Sequence, residues 1–131
     1  MDVIYVSIEG EREVLALHRF LFEAKLEDPG SIYAGSPYVA SIQRRLADAL
    51  EAADPGSGWA RWRAAEGHEE RVGIVRRHLS TAGHWWNDLN RAERETYVRD
   101  ILAPLNLSAD LLAELTATHG ESSPRGDAAA P

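Results

Sequence analysis

The chain has 131 residues, no cysteine and a formal net charge of −7. That length fits a single domain able to fold without a covalent or metal staple. The lack of cysteine excludes disulfides, thiolate zinc sites and cysteine nucleophiles, and the acidic balance disfavours general binding to phosphate backbones. No apolar run approaches the roughly 20 residues needed to cross a bilayer. The first residues also lack a basic stretch followed by an apolar core, so the expected location is the cytoplasm. Among the basic residues Lys25 is the only lysine; the rest are arginines.

Residues 3–8, Val-Ile-Tyr-Val-Ser-Ile, alternate with the period of a strand. No second strand-like run follows, and a lone strand leaves its backbone unpaired. The segment is therefore expected to be helical or irregular, or to pair with another chain. Residues 11–27 read as a helix. Val14, Leu15, Leu21, Phe22 and Leu26 form one apolar strip, with Leu17, Phe20 and Ala24 beside it. A surface helix normally carries one stripe, so this one is expected to be either the central helix or part of an interface. Asp28-Pro29-Gly30 ends it.

Ser36 followed by Pro37 is a helix start. The stripe Val39, Ile42, Leu46, Ala49, Leu50 and Ala53 is expected to face inward, with Gln43, Arg44 and Arg45 outside it. Asp54-Pro55-Gly56 stops this helix. Ser57 is placed to cap a third helix from Gly58 to about Glu66, with Trp59 and Trp62 on one face. After a break at Gly67, a helix over 69–79 turns Val72, Val75 and Leu79 inward. His84-Trp85-Trp86 opens a short segment. Asn90 with Glu93 fits a capping box, and the helix it starts carries Tyr97, Val98, Ile101 and Leu102 on one face. Pro104 ends or kinks that helix. Ser108 caps a last helix with Leu111, Leu112 and Leu115 inward, and Gly120 is suited to its C-terminal turn. Residues 120–131 have no apolar pattern and read as a disordered tail. The expected fold is all-α, a compact bundle of about five helices forming one domain over 1–119.

No catalytic, nucleotide-binding or metal motif is present. No two histidines have the i, i+3 or i+4 spacing of a helical metal pair, so neither a metal nor a cofactor is implied. His78 and His84 lie either side of a turn, near Asp88. His18 sits among Leu15, Leu21 and Phe22, where burial obliges an imidazole to find a partner. Adjacent Trp85 and Trp86 lie about 100° apart on a helix, so one of them must sit at a rim or interface. Arg61, Arg63, Arg71, Arg76 and Arg77 are interleaved with Glu66, Glu69 and Glu70, a pattern that intrahelical pairing explains.

The candidate ligand or interface residues are therefore His18, Trp59, Trp62, His78, His84, Trp85 and Trp86. The leading expectation is a non-catalytic protein-interaction or regulatory module that associates with itself as a homodimer. A small-molecule- or metal-binding helical protein with a pocket between helices, with or without enzyme activity, is the alternative. A DNA-binding regulator comes third, with nucleic acid disfavoured by charge.

Overall fold

The computed structural model describes residues 3–117. These contain seven α-helices: α1 (Gly10–Lys25), α2 (Pro37–Ala53), α3 (Trp59–Trp62), α4 (Glu69–Ser80), α5 (His84–Asn87), α6 (Arg91–Leu102) and α7 (Ala109–Thr116). Five are eight residues or longer; α3 and α5 are single turns. There is no strand among the described residues, and none of their helices is long and apolar enough to cross a membrane. Residues 3–9 form no regular element. The tail expected over 120–131, and Gly120, lie outside the described residues.

The helix starts follow the local chemistry of the sequence. The Ser36 hydroxyl accepts from the Tyr38 and Val39 amides, both at 3.2 Å, with Pro37 in the first turn. Asn90 and Glu93 close a reciprocal capping box, each bond 2.9 Å. Ser108 accepts from the Leu111 amide at 3.1 Å. Each cap satisfies amides that a helix N-terminus would otherwise leave unpaired.

The core gathers around α6, which packs against α2, α4 and α7. Val98, Ile101 and Leu102 of α6 meet Val72, Val75 and Leu79 of α4, Trp86 of α5, and Leu112 and Leu115 of α7. Helix α1 is not the central helix. It packs chiefly on α2, and its only buried residues are His18 and Lys25. Its apolar excess faces outward or lies at edges, with Phe20 67% exposed.

Two further expectations are corrected. The inward face of α2 carries Ala40, Gln43, Leu46, Ala47 and Leu50, whereas Ile42, Ala49 and Ala53 are exposed. Gln43 turns inward because its side-chain oxygen accepts from Lys25 Nζ at 2.7 Å. The third helix ends at Trp62 instead of continuing to Glu66. There the chain leaves the helix to pair with the segment after α6. The Asn106 amide donates to Arg63 O at 2.6 Å and the Ala65 amide to Asn106 O at 2.9 Å. Gly58, not Ser57, precedes α3, with the positive φ of 91° that a glycine adopts without strain.

Two buried cations hold the carbonyl end of α6. Lys25 Nζ donates to the carbonyls of Asp100 (2.5 Å) and Ala103 (3.5 Å) as well as to Gln43. Arg63 donates through Nε to Pro104 O at 3.0 Å and through Nη1 to Asp48 (2.7 Å) and Glu51 (3.3 Å). A helix C-terminus presents unpaired carbonyls and partial negative charge, so cations there answer both needs. Burial lowers the Lys25 amine to about 7, against the opposing pull of the Asp100 carboxylate.

Replacing Lys25 with Met would leave Gln43 Oε1 without its donor and the Asp100 carbonyl with only the Ala103 amide. The expected cost near pH 9.5, where the folded amine carries no charge, is about 2 kcal/mol, read by urea unfolding. The unfolded chain keeps the lysine proton up to about 10.4, so between the two values it binds more protons than the folded one. Stability of the unaltered chain should therefore rise with pH from about 7 toward 9.5, short of the tyrosine range, and Lys25→Met should lack that rise. Parallel curves for the two proteins would contradict the assignment.

Candidate functional site

The candidate residues fall into two aromatic clusters, with His84 outside both. In the first, α1 contributes His18 and, one turn on, Phe22; α3 contributes Trp59 and Trp62. The His18 ring lies 5.5 Å from Trp59 and 5.0 Å from Trp62, both edge-on, and 5.9 Å from Phe22. Trp62 also packs on Phe22 at 4.9 Å and on His68 at 5.0 Å. His68 Nε2 bonds to the Trp62 carbonyl at 2.6 Å, tying α3 to the start of α4. The Arg71 guanidinium stands 3.4 Å over the Phe22 ring. The left-handed turn at Gly58 brings Trp59 across the face of α1; a side chain there would meet nothing within 4 Å, so the glycine serves the turn and not the packing.

His18 is 2% exposed, and its Nδ1 has no hydrogen-bond partner. A buried imidazole without a partner costs free energy that an apolar side chain would not. Burial, then Arg19, Arg63 and Arg71, push its pKa down, so it is neutral at pH 7. Beside it an open cleft of about 460 Å³ runs between α1 and α3, lined by His18, Arg19, Phe22, Glu23, Trp59 and Trp62 among others.

The second cluster joins His78 of α4, Trp85 and Trp86 of α5 and Tyr97 of α6. His78 Nε2 and the Tyr97 hydroxyl share a hydrogen bond of 3.0 Å. Trp85 packs edge-on against Tyr97 at 5.1 Å. The adjacent tryptophans divide as helical geometry requires: Trp86 is 1% exposed and Trp85 41%. Gly35 closes this cluster, since a Cβ there would lie 2.6 Å from the Tyr97 ring. Burial lowers His78 and raises Tyr97. His84 is exposed at the start of α5 and touches neither cluster. Among the described residues no three His, Asp or Glu side chains converge as a metal site would require.

A third feature was not picked out from the sequence. Phe20, Leu21 and Ala24 of α1 with Tyr33 and Val39 line an open apolar groove of about 340 Å³ on the outer side of the α1–α2 pair. Lys25 lies at its edge, but its amine is bonded to Gln43 and α6. The arginines of residues 61–77 are largely engaged within the chain. Arg63 is buried on Asp48, Glu51 and Pro104, Arg71 covers Phe22, and Arg76 pairs with Glu114 at 2.6 Å.

Neither a family model, nor a curated protein, nor a solved structure matches the chain.

Because His18 and His78 are held below the ordinary histidine value of about 6.5, the folded chain binds fewer protons than the unfolded one just below it. Their contribution to stability is complete above that value and is lost as pH falls toward the depressed values. Acid titration followed by histidine ring NMR should show both midpoints below 6.5. In His18→Leu the decline of stability between about pH 6.5 and 5 should be shallower. An ordinary midpoint for His18 would contradict its burial.

Proposed function

We propose that the protein is a non-catalytic helical interaction module that assembles with a second copy of itself. The observation that carries this reading is the apolar segment before α1. Val3 is 69% exposed, Ile4 85%, Tyr5 89% and Val6 80%. None of residues 3–8 makes a backbone hydrogen bond to another described residue. Removing apolar surface from water returns roughly 25 cal/mol per Å², and contiguous exposed runs of this kind mark interaction sites.

The groove between α1 and α2 supplies a matching receptor. It is apolar and open, and Phe20 and Tyr33 within it are 67% and 65% exposed. Ile32 and Tyr38, next in sequence to groove residues, are each 81% exposed. One chain thus carries both an apolar arm and an apolar groove. Two chains that exchange arms bury both, and the reciprocal exchange closes as a two-fold dimer without growing into a filament. Trp85 offers a smaller exposed aromatic surface on the far cluster.

A small-molecule site is the second reading, favoured by the unpartnered imidazole of His18 beside the α1–α3 cleft. A nucleic-acid face draws the least support, since Arg63, Arg71 and Arg76 are already engaged with groups of their own chain.

Light scattering after size-exclusion chromatography, over a wide range of protein concentration, should show a monomer–dimer equilibrium. Ile4→Asp combined with Val6→Asp, both on exposed side chains, should weaken the dimer about tenfold or more without changing the far-ultraviolet spectrum. Phe20→Ser should act in the same direction. A chain that stays monomeric at every concentration contradicts self-association. A dimer indifferent to these substitutions contradicts the exchange of arm and groove.

A further inference from the structure

We propose that the cleft between α1 and α3 binds a planar aromatic anion, its ring against Trp59 and Trp62 and its negative group toward Arg19 and His18. The geometry supplies each part of that description. Trp59 and Trp62 meet edge to face at 5.4 Å with an interplanar angle of 79°, so together they present a corner that a flat ring can enter. Offset and edge-on ring contacts are the arrangements aromatic groups favour. The cleft volume of about 460 Å³ falls within the range of small-molecule sites.

Polar recognition is available at the same place. His18 makes no hydrogen bond with the described chain, although its ring is almost wholly enclosed. A neutral imidazole has both a donor and an acceptor nitrogen, so it can meet either a carboxylate or a protonated group. The charge around it decides between them. Arg19 lines the cleft and has no ion-pair partner among the described residues. Arg63 and Arg71 also act electrostatically on His18. Glu23, the one acidic residue lining the cleft, is offset by its attraction to Arg71. An anion that enters the cleft therefore meets the guanidinium of Arg19, and a guanidinium is well shaped to take a carboxylate.

The test uses 1-naphthoate as the probe, with 1-naphthalenemethanol and 1-naphthylmethylammonium as neutral and cationic ring-matched controls. Binding to the full chain is followed through the indole N–H resonances of its four tryptophans. Trp59→Phe and Trp62→Phe assign two of them. Naphthoate should shift the Trp59 and Trp62 resonances saturably and leave those of Trp85 and Trp86 in place. The two controls should bind at least about tenfold more weakly. Arg19→Gln, an exposed position on α1, should lower naphthoate affinity to the level of the neutral control while leaving the thermal midpoint unchanged.

Three results would overturn the proposal. One is the absence of a saturable shift at Trp59 and Trp62. Another is equal or tighter binding of the neutral or cationic control. The third is naphthoate affinity unaffected by Arg19→Gln. Dimerisation through the arm is read separately by light scattering, so the cleft and the groove stand or fall independently.

Discussion

The amine of Lys25 sets the arrangement of the rest. It reaches from the last turn of α1 to Gln43 on α2 and to the carbonyl end of α6. Three helices are thus joined at one nitrogen. An apolar contact there would tolerate sliding and rotation, because burial of apolar area has no direction. Hydrogen bonds from one ammonium or amine to fixed oxygens do not. A buried charge is weak evidence for stability, since its desolvation offsets much of what the contacts return. Its effect here is to fix the rotation of α1 about its own axis.

That rotation determines both surfaces described above. Residues seven apart on a helix differ by only about 20° around the axis, so turning Lys25 inward carries His18 inward as well. Residues five apart differ by about 140°, so the same rotation turns Phe20 out. The buried side of α1 is consequently polar at its two deepest positions, and much of its apolar surface is left for the groove. The second cation works in parallel. Arg63 holds Pro104 while its backbone pairs with Asn106, which cuts α3 to a single turn and leaves Trp59 and Trp62 beside His18. Groove and cleft are thus two consequences of how α6 ends.

Local chemistry made much of this legible in advance. The caps at Ser36, Asn90 and Ser108 and the inward residues of α4, α6 and α7 all follow from patterns within a few residues. The division of Trp85 from Trp86 follows from helical geometry alone. What could not be read were contacts between residues far apart in the chain. Gln43 reads as a solvent-facing side chain until its partner, 18 residues earlier, is known. Ile42 and Ala49 read as core for the same reason, since α2 is turned by Gln43 and not by the largest apolar stripe. The pairing of Ala64 with Asn106 joins segments too short to announce a strand. His18 was noticed as a polar residue on an apolar face. The sole lysine, two turns further on that face, was the signal available for the clamp, and the wide spread of apolar positions on α1 concealed it. His84 lies across a short turn from His78 in the sequence, but it is exposed at the start of α5.

Because the chain has one lysine, selective labelling of lysine with ¹³C at Cε yields a single side-chain resonance from Lys25. Its titration is the most direct measure of the central claim. A midpoint near 7, in a folded protein, is the result expected of an amine enclosed between Gln43 and the carbonyls of α6. A midpoint near the ordinary lysine value of about 10.4 would place that amine in water and remove the constraint on which the orientation of α1 rests.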